Sequence, residues 1–311
     1  MPELPEVEVI KLGLQKKIIG LKITKIQVLS PKSFIGNPNK AQGKKVLNIW
    51  RKAKYLGMEL TGNTSLLFHL KMTGQVIYDD GNPSTPSIPL RIGQLRAGRF
   101  IGGHPTEDMV GPLPNPHTRV IFGFSDGSHL YFNDQRRFGW IRVSDKAPAS
   151  PAKRGEQVTS NKLFKSLGPE PLEKEFSWQI LKENLLKHKS MPIKVALMDQ
   201  SVVSGVGNIY ANEACFAAKI DPRIKVGDLG DREFKKLHQG VIRVIKEGIK
   251  QGGSTRAHFV DAEGHKGYFL DYAYVYGRDK HKCKVCSTDI KKIQLGGRGT
   301  YFCPKCQKGV E

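Results

Sequence analysis

VIFGFSDGSHLYF, residues 120–132, decides how the first half of this chain is read. Val120, Phe122 and Phe124 fall on one face, SDGS supplies a turn, and Leu130 and Phe132 resume the alternation. A two-residue period on either side of a glycine-containing turn predicts a β-hairpin with one buried face. Working backwards, KITKIQVL, KKVLNIW, YLGMEL and SLLFHL are short and rich in apolar or β-branched residues, with Gly, Pro or Asn between them. Such a succession, from Leu21 to about Val143, predicts a β-sandwich or barrel. One helix precedes it, beginning at Pro5 and running through VEVIKLGLQKKI. The stretch 79–116 is heavy in Gly and Pro and reads as a long surface insertion.

Working forwards, SDKAPASPAKRGEQVTSN (144–161) is small and polar, which suits an interdomain linker, and the period then becomes helical. FSWQILKENLLKHK has Ser177 as its N-cap. DREFKKLHQGVIRVIKEGIKQGG puts Phe234, Leu237, Val241, Ile245 and Ile249 on one face and stops at Gly252-Gly253. CKVC at 283–286 and CPKC at 303–306 follow, separated by sixteen residues. Two such knuckles make a closed tetrahedron of thiolates, so Cys283, Cys286, Cys303 and Cys306 are expected to hold one structural zinc. KKIQLGGRGTYF between them predicts a zinc-pinned β-hairpin with Arg298 at its turn.

Composition bounds the partners. The 311 residues are 39% hydrophobic and include 14 Phe, enough for a buried core. Lys and Arg number 50 against 29 Asp and Glu, a net charge of +21 that calls for a polyanionic partner. No stretch approaches the ~18 apolar residues of a membrane helix. The first residues lack the basic and then apolar pattern of a signal peptide. The four clustered cysteines, with Cys215 left over, fit a metal site in a reducing compartment better than a disulfide framework.

Three further stretches suit nucleic acid. SGVGNIYANEA (204–214) sets two glycines before a helical run, so backbone N–H groups and the Asn208 amide can meet a phosphate. QRRFGW (135–140) joins Arg136 and Arg137 to Phe138, a charged grip beside an apolar wedge. HLKMTG (69–74) places Met72 at a strand-to-turn transition, where it can serve as a second wedge. Enzymes that extrude a base need such side chains to fill the vacated stack. Plain core packing remains the ordinary alternative for Met72 and for Phe138.

Taken in order, MPELPEVE, RKAKYL, HLKMTG, QRRFGW, LGPEPL, LMDQSVVSGVGNIYANEACFAAKIDP, QGGST, VYGR and the zinc hairpin resemble the bacterial formamidopyrimidine-DNA glycosylases over nearly the whole chain. The resemblance implies an α+β multidomain fold: an N-terminal β-sandwich (2–143), a linker (144–161), a helix-two-turn-helix domain (162–270) and a zinc-finger hairpin (271–311). It implies excision of oxidised purines from damaged double-stranded DNA, followed by cleavage of the abasic strand, by a bacterial, cytoplasmic, monomeric enzyme. By motif, Pro2 would be the nucleophile and Glu3 the proton donor, and Glu6 would support them. Lys54 would hold the lesion phosphate and assist elimination. Met72, Arg136 and Phe138 would fill the gap in the stack. Lys189, Asn208 and Arg298 would hold phosphates, Arg298 also aiding the second elimination, and His117 would contact DNA. Residues 251–269 would be the loop that closes over the extruded base. Lys71 stands where the family usually has Gly, and Gln135 where it usually has Pro.

The opening residues carry a reading of their own. Pro5 and Glu6 are ordinary helix-start chemistry, but Pro2-Glu3 is not. With Met1 removed, Pro2 carries a secondary α-amine titrating near ~8, neutral and nucleophilic at physiological pH. A glutamate beside it can act as general acid. Two other readings stay open on sequence: an endonuclease VIII-like glycosylase for oxidised pyrimidines, and a non-catalytic zinc-finger DNA-binding protein.

Overall fold

A computed structural model describes residues 1–82, 87–90, 93–96, 98–103, 111–144, 163–254 and 269–309. The chain divides into two compact units, 1–161 with 251–268, and 162–250 with 269–311. The expected linker, from residue 145 onward, and residues 255–268 of the expected closing loop lie outside the described residues.

The first unit is a two-sheet sandwich with a helix laid into it. Helix α1 (Leu4–Ile18) begins one residue earlier than the sequence suggests, with Glu3 as its N-cap. Strands β1 (Ile23–Val28), β2 (Phe34–Ile35), β3 (Val46–Lys52), β4 (Tyr55–Leu60), β5 (Thr64–His69) and β6 (Gly74–Asp79) follow. A detached two-stranded hairpin, β7 (Ser87–Leu90) with β8 (Gly93–Arg96), comes next. Then come β9 (Arg99–Gly103), β10 (Thr118–Phe124), β11 (His129–Asp134) and β12 (Trp140–Ser144). One sheet has the order β1-β10-β11-β6-β9 and the other β2-β12-β5-β4-β3. The hairpin at 120–132 forms as the alternation requires, Val120 opposite Phe132 and Phe122 opposite Leu130. Its buried face joins Val7, Ile10, Leu14, Phe68 and Ile141 in one core. Helix α1 can lie this close because Gly13 has no side chain. A Cβ there would sit 2.1 Å from the Phe100 ring.

The stretch 79–116 is not all surface insertion: β9 is an edge strand of the first sheet, paired with β6 from Gln75↔Gly103 to Asp79↔Arg99. Phe100 and Ile101 are each 2% exposed, and Arg99 donates to Asp79 at 2.6 Å. Five residues of strand, RFIGG, are hidden in sequence by the Gly and Pro around them.

The second unit holds α2 (Trp178–Leu186), α3 (Ile193–Ala196), α4 (Asn208–Ala217), α5 (Asp231–Lys250), α6 (Phe269–Tyr272) and the hairpin β13 (Lys291–Leu295) with β14 (Arg298–Phe302). The Ser177 hydroxyl accepts from Ile180 N–H, the expected N-cap. On α5, Phe234, Leu237, Val241 and Ile245 are buried as the period predicts, and Ile249 is half-buried. Gly248 lets α5 close on α4, since a Cβ there would meet Tyr210 at 2.5 Å. Both glycines after α5 lie in the left-handed region, Gly252 at φ 71° and Gly253 at φ 87°, which ends the helix where expected.

Candidate active site and nucleic-acid interface

The N-terminus of α1 gathers the opening residues into a dry site. Pro2 is buried, while Glu3, Glu6 and Lys54 are 3%, 5% and 6% exposed. Glu6 joins two segments, accepting from Glu3 N–H and from Ser254 N–H, each at 2.7 Å. Gly253 is what lets residue 254 approach, for a Cβ at 253 would come within 3.2 Å of Glu6. Lys54 reaches the site from the turn between β3 and β4, where Ala53 adopts φ 51°. Burial holds its ammonium below the ordinary lysine range, and the negative charges of Glu3 and Glu6 oppose that shift. Arg51 and Lys11 clamp Glu8 one turn further along α1. Burial raises the Glu8 carboxyl, but these two cations bring it below its usual value.

His69, which the sequence reading did not single out, packs beside this group at the end of β5. Its ring meets Tyr55 edge-on at 4.6 Å and Trp140 at 5.8 Å. Burial first, then the charges of Lys71 and Lys54, push its pKa down to about 3, so it is neutral at pH 7. Its Nδ1 accepts from Lys71 N–H at 3.0 Å. Lys71 sits at φ 52°, which accounts physically for glycine being the usual residue at that point of the motif.

The two expected wedges meet at a residue that sequence reasoning missed. Asp134, at the end of β11, is fully buried. It accepts from the Thr73 hydroxyl, from Arg136 N–H at 3.2 Å and from Gly139 N–H at 2.6 Å. It thereby ties the turn carrying Met72 to the loop carrying Arg136 and Phe138. Its own N–H donates to the His117 carbonyl at 2.9 Å, bringing His117 alongside. Phe138 is 54% exposed, so core packing does not explain it. The Arg136 guanidinium lies 4.9 Å over its ring. Met72 is half-buried. The available signal was an Asp two residues before Arg136, the spacing of an Asx turn.

In the second unit Asn208 opens α4 behind Gly205 (φ 89°) and Gly207. Gln200 braces that loop by accepting from Gly205 N–H and donating to the Met198 and Val206 carbonyls. The fully buried Lys194 donates to Asn208 Oδ1 at 2.5 Å. The amide's Nδ2 donates to the Gly299 carbonyl at 3.2 Å. One turn on, Asn212 accepts from Tyr301 N–H at 2.7 Å. Helix α4 therefore grips β14 and fixes the strand that begins with the exposed Arg298. Glu213 accepts from the N–H groups of Tyr274, Val275 and Tyr276 at 2.8–2.9 Å, anchoring the approach to the finger. Lys189 is exposed, and the lysine that touches Asn208 is Lys194, five positions on.

The sulfur atoms of Cys283, Cys286, Cys303 and Cys306 all lie within 4.8 Å of one another. Val285 N–H points at Cys283 Sγ and Cys306 N–H at Cys303 Sγ, each at 3.4 Å. Four converging thiols, two of them receiving backbone N–H groups, suit thiolate ligands, and this donor set fits one structural zinc. Cys215 takes no part: it is buried, and desolvation pushes its thiol up to about 12.

Three domain families match in the order of the motifs. The formamidopyrimidine-DNA glycosylase N-terminal domain covers residues 1–141 and the H2TH domain of the same enzymes covers 167–259. A zinc finger found in FPG and IleRS covers 280–309. The chain belongs to the formamidopyrimidine-DNA glycosylase family. It is 35% identical to the formamidopyrimidine-DNA glycosylase of Pelotomaculum thermopropionicum, over 99% of both chains. The enzyme of that name from Listeria monocytogenes is also 35% identical, over 99% of this chain and 100% of its own. Among solved structures, MutM (FPG) from Thermus thermophilus aligns with a TM-score of 0.76 at 30% identity, covering 100% of both chains. A Lactococcus lactis Fpg bound to abasic-site DNA aligns with a TM-score of 0.77 at 30% identity, over 98% of this chain and 99% of its own. Membership makes the chain a DNA glycosylase of DNA repair rather than a non-catalytic finger protein. Among the described residues no helix is long and apolar enough to cross a membrane.

Proposed function

We propose that this enzyme excises oxidised purines, 8-oxoguanine and ring-opened formamidopyrimidines, from duplex DNA and then cuts the abasic strand. The observation that carries this reading is the burial of Pro2, Glu3, Glu6 and Lys54 together at the start of α1. Burying two carboxylates is costly unless they are paired or used. Glu6 is spent on Glu3 N–H and Ser254 N–H, and the Glu3 carboxyl, held by Glu6 N–H in the other half of the capping box, is fixed beside Pro2.

Met1, 42% exposed, is open to removal, and its loss turns the Pro2 nitrogen into a secondary amine. That amine attacks C1′ of the lesion nucleotide. Glu3 protonates the ring oxygen O4′ as the sugar opens, and the proton shed by the Pro2 nitrogen passes to the base as the C1′–base bond breaks. The resulting iminium acidifies C2′, whose proton is lost as the 3′ phosphate departs. A second elimination, aided by Arg298, releases the 5′ phosphate, and hydrolysis frees Pro2. Lys54, with an ammonium made easier to deprotonate by burial, meets the lesion phosphate and assists proton transfer. Met72, Arg136 and Phe138 fill the gap left in the stack, with His117 beside them on the DNA. Asn208, Lys189 and Arg298 hold phosphates, and the enzyme works as a monomer on damaged double-stranded DNA. Incision of an 8-oxoguanine:C duplex by purified protein tests the reading. A preference for oxidised pyrimidines would instead favour the endonuclease VIII-like alternative.

A further inference from the structure

A cleft lies at the other end of α4 from Asn208. It encloses about 730 Å³ between the turn after α4, the start of α5 and the last knuckle of the finger. Among the described residues, Lys219, Arg232, Lys236, Lys305 and Lys308 line it against one acid, Glu233. All five cations are exposed, and among the described residues none is ion-paired. Glu233 is partly engaged already, accepting from Gly230 N–H at the first turn of α5. Ile224 and Leu229 give the cleft an apolar floor, and Val285, 64% exposed, stands at its rim.

The walls are preformed. Lys219 N–H donates to the Phe216 carbonyl and Ile220 N–H to the Cys215 carbonyl, each at 2.9 Å, the double closure of a Schellman motif. Lys219 therefore occupies the left-handed position, φ 60°, that glycine usually takes. Gln307 bonds the Ile220 carbonyl at 2.9 Å, and Asp221 N–H donates to the Lys308 carbonyl at 3.2 Å, which holds Lys219 and Lys308 on adjoining segments. The negative end of α4 accounts for a cation at Lys219, but not for the other four.

This cleft is not the phosphate site of Asn208. Helix α4 has ten residues and so spans ~15 Å, with Asn208 at one end and the cleft at the other. Among the described residues, no aromatic side chain lines it to stack the bases of a single strand. We propose that the cleft docks an acidic peptide segment of a partner protein, carboxylates meeting the five cations and one apolar side chain seated on Ile224 and Leu229. Charge complementarity and the apolar floor together specify this occupant.

The test uses the full-length protein already saturated with an abasic-analogue duplex, so that the DNA surface is filled. The probe is a short fluorescein-labelled peptide of Asp and Glu ending in Leu, read by anisotropy beside a control with Asn and Gln in place of the acids. The acidic peptide is expected to bind with DNA in place and the neutral one to fail. Arg232→Glu with Lys236→Glu on one wall, and Lys308→Glu on the other, should each weaken peptide binding about tenfold or more, with duplex incision unchanged. Absence of binding to the DNA-saturated protein, or unchanged binding in both variants, overturns the proposal. Loss of duplex or single-strand affinity in those variants would overturn it too, by making the cleft part of the nucleic-acid surface.

Discussion

The carboxylate of Asp134 accepts a hydrogen bond from Gly139 N–H at 2.6 Å, closing the loop that presents Arg136 and Phe138. The same carboxylate takes the Thr73 hydroxyl from the turn that presents Met72. The segments that carry Met72 and Phe138, distant in sequence, are thus registered to one buried carboxylate.

Asp134→Ala strips these donors of their acceptor. Hydrogen bonds to a charged group contribute about 1.5–3 kcal/mol each, and unsatisfied buried donors add their own penalty. A loss of about 3 kcal/mol in unfolding free energy is expected, read by denaturant titration. Affinity for an abasic-analogue duplex should fall with it, while zinc content stays the same. Asp134→Asn keeps one acceptor and should lose less. Equal affinity in wild type and Asp134→Ala would dissociate the wedges from this carboxylate.

His69 gives a pH signature. Its folded pKa, about 3, lies below the ordinary 6.5, so between these values the unfolded chain binds the extra proton and stability rises with pH. Unfolding free energy should therefore decline as pH drops below about 6.5, by up to about 1.4 kcal/mol per unit, and level off near the folded value. His69→Gln retains an acceptor for Lys71 N–H and should flatten the decline between pH 6.5 and 5, where few carboxylates titrate. Denaturant midpoints across that range decide it, and parallel pH profiles would refute the assignment.

Lys194→Met removes the donor that orients the Asn208 amide. Asn208 can then rotate away from Gly299, so duplex affinity should drop with zinc retained. Lys189→Ala, at an exposed lysine, should instead lower the slope of log affinity against log salt by about one. The two variants separate a positioning lysine from a phosphate-contacting one, and a salt-slope change in Lys194→Met alone would reverse the roles.

Cys283→Ser should lose zinc, because a closed site needs all four ligands. The hairpin that carries Arg298 then loses its pin, and binding to an abasic-analogue duplex should weaken sharply. Metal analysis beside a binding isotherm gives the answer; undiminished affinity without zinc would contradict the role of the finger.

The alternation at 120–132, the amphipathic face of α5 and the paired CxxC knuckles were legible because each depends on local spacing. Strand β9 was not, since five residues among glycines and prolines carry too short a period to stand out. Of the site, Pro2, Glu3, Lys54, Asn208 and the cysteines lie in recognisable motifs. Asp134, His69 and Lys194 escaped notice because their roles arise from contacts far apart in sequence. Asp134 meets Thr73 across 61 positions, a relation that no window of sequence displays. Lys71 and Lys219 show the converse, a lysine in a backbone conformation that favours glycine and that composition alone cannot signal.

The roles of Pro2 as nucleophile and Glu3 as its acid are tested most directly by trapping. Reaction on a lesion duplex in the presence of borohydride reduces an iminium and leaves protein covalently joined to DNA, and peptide mass spectrometry locates the bond. The adduct is expected on the N-terminal peptide, beginning at Pro2 with Met1 absent. Glu3→Gln is expected to fail to release an intact damaged base yet still cut a preformed abasic site. An adduct on Lys54, or full activity with Met1 retained, would contradict these roles.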